Sequence, residues 1–173
     1  MNSIERRRSI EKILIKNDKP IKGNEIGKIL GVTRQVIVKD IAILRAAGKN
    51  IIATPEGYLM PNENKKLVKK IIAVCHDSKD IKNELEIIIK FGGIVEDVLV
   101  EHPVYGEIKA MLMIKSMYDI DNFIQSIKEN KAEPLLILTG GIHLHTISSD
   151  DEGIMNKIIE ELKKKNYLVD EEK

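Results

Sequence analysis

Between residues 61 and 66 the chain reads Pro61-Asn62-Glu63-Asn64-Lys65-Lys66, six residues with nothing to offer an apolar core. A proline followed by polar residues ends regular structure, and a segment that cannot pack reads as a linker. The break divides 173 residues into two small units, 1–60 and 67–173, and each must build its own core.

The two units differ in charge. Residues 1–60 carry 12 basic and 6 acidic residues, whereas 61–173 carry 16 and 21, so the near-neutral total of +1 hides a basic front and an acidic back. A small basic module is the electrostatic footprint of a nucleic-acid binder. Composition excludes several other classes. One cysteine, Cys75, rules out an internal disulfide framework and a cysteine-rich zinc module. No apolar run approaches the roughly 18 residues that span a bilayer, and no export signal opens the chain, so the expected setting is the reducing cytoplasm with no membrane partner. With aromatics at 3% and no Trp, stacking platforms for single strands are out of reach.

The first unit reads as a winged helix-turn-helix. Residues 4–16 place Ile4, Ile10, Ile13 and Leu14 at helical spacing, and Asn17-Asp18-Lys19-Pro20 ends that helix. A short helix over 23–30 sets Ile26, Ile29 and Leu30 on one face, Gly27 admits a close neighbour, and Gly31 supplies the C-terminal stop. Thr33 is placed to cap a third helix that runs to Ala47, with Ile37, Ile41 and Leu44 as its buried stripe. Two short apolar runs around Pro55-Glu56-Gly57 make a hairpin. The second helix of such a motif enters the major groove with its N-terminal residues on base edges. Arg34 and Gln35 stand there and suit guanine and adenine, while Lys39 and Arg45, further along the same face, suit phosphates. The rival use of this unit is protein contact.

The second unit reads as an α+β layer sandwich with a largely antiparallel sheet, in the order βαββαββα. The strands are expected at 67–76, 94–102, 105–115, 135–139 and 142–148, and the helices at 79–91, 119–130 and 151–165. All four histidines lie here. His143 and His145 are two apart in a strand and so share a face, where two imidazoles make poor core and good metal ligands. His76 closes another strand, and Asp80 or Glu84 on the following helix offers a carboxylate, with Glu84 expected opposite Leu85. His102 precedes Pro103 in a hairpin, as a ligand-binding group or a turn residue. Gly92-Gly93 and Gly140-Gly141 are turns without a phosphate-loop pattern, and Cys75 in its apolar run reads as inert packing.

The stretch 32–48, with Ile51-Ile52-Ala53-Thr54-Pro55-Glu56-Gly57-Tyr58-Leu59 after it, resembles the winged helix of niacin-responsive transcriptional repressors. The second unit is similar to their three-histidine (3H) domain, through His76, the run Val100-Glu101-His102-Pro103-Val104-Tyr105-Gly106-Glu107-Ile108, and Thr139-Gly140-Gly141-Ile142-His143-Leu144-His145. The resemblance covers nearly the whole chain. It implies a homodimeric, non-enzymatic repressor of genes for NAD synthesis or niacin uptake, binding a palindromic operator in double-stranded DNA. It further implies nicotinic acid as co-repressor and a divalent metal (nickel, zinc or iron) on His76, Glu84, His143 and His145, with His102 and Tyr105 toward the ligand and Thr33, Arg34, Gln35, Lys39 and Arg45 toward DNA. Two other uses of the same residues stay open: a sensor for which metal is itself the effector, and a metal-dependent enzyme on a DNA-binding tether, with Glu101 and Glu107 as candidate bases.

Overall fold

A computed structural model describes residues 2–61 and 66–169, and the chain divides into two compact units, Met1–Lys65 and Lys66–Lys173. Most of the expected linker, from Asn62 to Lys65, lies outside the described residues.

In the first unit α1 (Ser3–Ile15) opens with a reciprocal cap: the Asn2 side chain accepts from the Glu5 N–H, and the Glu5 carboxylate accepts from the Asn2 N–H. Its Ile10 and Leu14 enter the core, while Ile4 stays exposed. Then come α2 (Gly23–Leu30) and α3 (Arg34–Ala46). Gly31 ends α2 in the left-handed region at φ 67°, and a Cβ on Gly27 would sit 2.7 Å from the Val32 carbonyl oxygen, so the turn closes only over glycine. Thr33 has the extended backbone of a cap, but its hydroxyl makes no capping hydrogen bond, contrary to the role expected of it. Ile10, Leu14, Ile26, Ile37, Ile41, Leu44 and Ile51 form one core. Strands β1 (Ile52–Thr54) and β2 (Gly57–Leu59) pair antiparallel as the wing, and Tyr58 and Ile21 exchange two backbone hydrogen bonds that tie the wing to the residues before α2.

The second unit runs β3 (Val68–Cys75), a 3-10 turn (Ser78–Asp80), α4 (Ile81–Lys90), β4 (Ile94–His102), β5 (Gly106–Ile114), α5 (Met117–Asn130), a second 3-10 turn (Leu135–Thr139), β6 (Ile142–Ser149) and α6 (Glu152–Lys164). Asp151 caps α6 by accepting from the Ile154 N–H, as the acidic start of that helix leads one to expect. The sheet order is β3-β6-β4-β5 with every neighbour antiparallel, which makes the unit α+β. Ile72, Val74, Val95 and Ile147 face a core completed by Leu85 and Ile88 of α4, Ile120 of α5 and Met155, Ile158 and Leu162 of α6.

In this second unit three expectations need correction. Residues 135–139 are not a strand. The places on both sides of β6 are taken by β3 and β4, and Pro134 starts a tight coil in which its carbonyl accepts the Ile137 N–H and the Ile137 carbonyl accepts the Gly140 N–H. The order is therefore βαββαβα, with a 3-10 turn ahead of the last strand. Cys75 is exposed, because strand alternation turns it away from the face that buries Val74. Glu84 lies beside Leu85 on the buried side of α4, not opposite it.

Candidate metal centre and DNA-facing helix

Helix α4 buries Ile81, Leu85 and Ile88, and Glu84 falls on the same stripe, three residues after Ile81 and four before Ile88. A carboxylate thus stands where packing asks for an apolar group. In β6 the inward positions are His143, His145 and Ile147, opposite Val74, Ile72 and Lys70 of β3. His76 follows the end of β3 and comes to the same place. The side chains of His76, Glu84, His143 and His145 are between 1% and 4% exposed.

Each of these three imidazoles is oriented by a main-chain oxygen. Nδ1–H of His76 donates to the Asp77 carbonyl at 2.9 Å, that of His143 to Gly141 at 2.9 Å, and that of His145 to Asp97 at 2.5 Å. A carbonyl only accepts, so each proton sits on Nδ1 and each Nε2 is turned toward Glu84. The Nε2–oxygen distances are 2.7 Å for His76, 3.6 Å for His143 and 3.5 Å for His145. Donor atoms of His76, Glu84 and His143 lie within 4.8 Å of one another, and His145 reaches the other carboxylate oxygen from the next inward position of β6.

Charge explains the rest of the geometry. Burial pushes the Glu84 carboxyl up, but the charge of His145, the hydrogen bond from His76 and the imidazole of His143 facing it outweigh that and hold Glu84 well below the usual carboxylate range. Burial pulls His76 and His145 down, yet the Glu84 carboxylate and the backbone carbonyls lift both above their ordinary value. His76 donates from both nitrogens, so without metal it carries the proton. Even so, Glu84 Oε1 is buried with no hydrogen-bond partner among the described residues. Three Nε2 atoms fixed by outer hydrogen bonds, a buried carboxylate and one orphaned oxygen fit a divalent transition ion.

Two residues near the donor group, and one in the first unit, were not singled out by the sequence. Asp97 sits where the β4 register slips against both neighbours; its carbonyl serves His145, its Oδ1 accepts the Thr146 N–H at 2.9 Å, and its Oδ2 pairs with Lys109 at 2.7 Å. Its signal was an acid inside the apolar run of β4. Tyr167, beyond α6, packs its ring on His76 at 5.2 Å and donates its hydroxyl to Asp80 at 3.3 Å. Asp80, the alternative carboxylate, is therefore engaged with Tyr167 and lies outside the donor group. No spacing rule points to Tyr167. In the first unit Asp40, three residues after Ile37 on the buried stripe, is 2% exposed and pairs with Arg6 at 2.5 Å and Arg7 at 3.4 Å.

His102 and Tyr105 are placed apart from the donor group, at the β4–β5 hairpin. His102 Nδ1 accepts from the N–H groups of Val104 and Tyr105, and its ring lies 5.0 Å from that of Tyr105. These are the contacts of a turn residue.

On α3, Arg34, Gln35, Lys39 and Arg45 are exposed along one face, and Thr33 is exposed ahead of them, while Ile37, Asp40, Ile41 and Leu44 are buried. A cleft of about 370 Å³ beside Arg34 is lined also by Lys22, Asn24, Thr54 and Tyr58, joining the start of α2 and the wing to the same surface. No helix among the described residues is long and apolar enough to cross a membrane.

Comparison with known proteins agrees with both halves of this description. Residues 69–171 match the 3H domain family and residues 6–59 an HTH domain family. The chain is 46% identical to the probable transcription repressor NiaR of Thermotoga maritima, over 96% of this chain and 95% of the relative. It is 35% identical to the transcription repressor NadR of Bacillus subtilis, over 87% of this chain and 85% of the relative. A helix-turn-helix unit with an exposed basic recognition face, followed by a 3H unit, makes the chain a DNA-binding transcription repressor and not an enzyme, and it belongs to the NiaR-type repressor family.

Proposed function

We propose that this repressor's hold on its operator is set by nicotinic acid, acting at a divalent transition metal held by His76, Glu84, His143 and His145, and that the genes it controls serve NAD synthesis or niacin uptake. The observation that carries the reading is the donor set: three imidazoles with Nδ1–H already committed to carbonyls, and one buried carboxylate with an oxygen lacking a partner. Nickel, zinc and iron(II) all accept that mixture. When bound, a divalent ion beside a single carboxylate keeps a net charge of about +1 and supplies a Lewis-acidic seat for an anionic pyridine carboxylate.

The chain's own residues do the remaining work. The carbonyls of Asp77, Gly141 and Asp97 hold the rings in one orientation, and the buried Glu84 offsets positive charge. Arg34 and Gln35 read base edges while Lys39 and Arg45 meet phosphates. One 19.6 kDa chain has one such helix, so the working form is a cytoplasmic homodimer on a palindrome, with two helices about 34–36 Å apart. Nicotinic acid acts as co-repressor only by binding the DNA-competent arrangement more tightly than the other.

A second reading, a repressor that senses metal alone, is favoured by one feature: the four donor side chains are nearly closed to solvent, which leaves an effector little room. Elemental analysis of full-length variants after dialysis against nickel tests the donor set. The expected outcome is about one metal per chain in the wild type and in His102→Ala, and loss of stoichiometric metal in His143→Ala and His145→Ala. Unchanged metal in the last two variants overturns this donor set.

A further inference from the structure

The donor side chains are covered, so a metal reaches them only if something moves aside. Three of the donors sit on firmly held elements. His143 and His145 lie on β6, which is paired on both sides, and Glu84 lies within α4 against the core. Residues 167–169 are held differently. They run along the outer edge of β3, where the Cys75 N–H donates to the Tyr167 carbonyl at 2.9 Å, the Val169 N–H donates to the Ala73 carbonyl at 3.0 Å, and Val74 bridges Leu168. The turn that leads into them puts Asn166 in the left-handed region, at φ 56°. From this edge Tyr167 lays its ring on His76 and sends its hydroxyl to Asp80, in the turn that leads into α4 and Glu84. One side chain thus touches a donor imidazole and fastens itself beside the helix that supplies the carboxylate.

We propose that residues 167–169 form a strap over the metal centre, with Tyr167 as its latch, and that release of the Tyr167–Asp80 hydrogen bond and of the edge pairing opens the path by which a divalent ion enters and leaves. The inference rests on the metal reading given above. A latch that covers without coordinating changes how fast the ion exchanges and leaves its equilibrium affinity alone, because it alters the barrier and neither end state.

The test uses full-length protein with Co²⁺ as probe: stopped-flow uptake, release to excess EDTA, and affinity by competition, with visible absorption reporting the donor geometry. Tyr167→Ala is expected to speed uptake and release alike by about tenfold, as losing ~1.4 kcal/mol of barrier does, with affinity and spectrum unchanged. Tyr167→Phe keeps the ring on His76 and loses the bond to Asp80, so both rates rise about threefold, in line with one modest hydrogen bond. This variant decides the matter if Tyr167→Ala does not fold. Wild-type exchange rates in Tyr167→Phe and in any folded Tyr167→Ala overturn the strap and leave the metal reading standing. Weaker affinity at an unchanged uptake rate also overturns it, because Tyr167 then only positions His76. A wild type that takes up no Co²⁺ overturns the metal reading itself, and the strap with it.

Discussion

Glu84 would be a costly residue in most cores, since a buried carboxylate without compensation loses its charge. Here three imidazoles converge on it, and the resulting balance sets a pH dependence for the metal-free protein. Glu84 is held well below its ordinary value of 4.5, so its contribution to stability is complete above that pH and is lost as the pH falls through the lowered value. His76 and His145 are raised above 6.5, so their contribution is complete below 6.5 and is lost as the pH rises through the raised values. With chelator present, the melting temperature is expected to be highest between about pH 4.5 and 6.5 and to decline on both sides. Glu84→Gln should flatten the alkaline decline. Melting curves from pH 4 to 9 check this, and a temperature that climbs from pH 6.5 to 8.5 contradicts it. The alternation His143-Leu144-His145 was legible, and so was the share of Glu84 in the set once the family resemblance was seen. What stayed hidden is what no spacing encodes: the register slip that turns the Asp97 carbonyl onto His145, and the return of Tyr167 from beyond α6.

Among the elements, α3 divides its faces sharply. Its outward side carries Arg34, Gln35, Lys39 and Arg45, and its inward side includes Asp40, clamped by Arg6 and Arg7 of α1. Two of the basic residues of the N-terminal helix are thus neutralised inside the unit and fix the angle of the recognition helix. Asp40→Ala leaves both arginines without that partner and is expected to cost about 1–3 kcal/mol, less than a fully buried pair because the arginines keep some contact with water. Urea unfolding of the full chain measures it. On the outward side, Arg34→Ala or Gln35→Ala should each lose about 1–3 kcal/mol of discrimination between operator and mismatched duplexes. Lys39→Ala should weaken all sequences alike and reduce the salt slope by about one. Anisotropy titrations at several salt concentrations separate the two effects, and unchanged sequence preference in both the Arg34 and Gln35 variants removes those residues from base reading. The helices were readable because a 3.6-residue period marks each of them. The run Leu135–Thr139 was not, because five apolar residues have no period that tells a strand from a tight coil, and the outcome depended on which places beside β6 were free.

At the scale of the whole molecule, a basic unit that reads DNA and an acidic unit with a buried donor set are joined in one chain. Composition puts the break at 61–66, a stretch with no apolar side chain, and the compact units meet at Lys65 and Lys66. Under the proposed function, DNA affinity answers to metal and nicotinic acid together. The direct measurement takes a duplex selected by the protein from a random pool in the presence of Ni²⁺ and nicotinic acid, and titrates it with full-length protein in four conditions: neither addition, each alone, and both. The expected result is a palindromic selected site and tight binding only with both present, stronger than with either alone by about 5- to 150-fold, the usual range of coupling between two sites. Equal affinity in all four conditions, or a full response to nicotinic acid in metal-free protein, would contradict it.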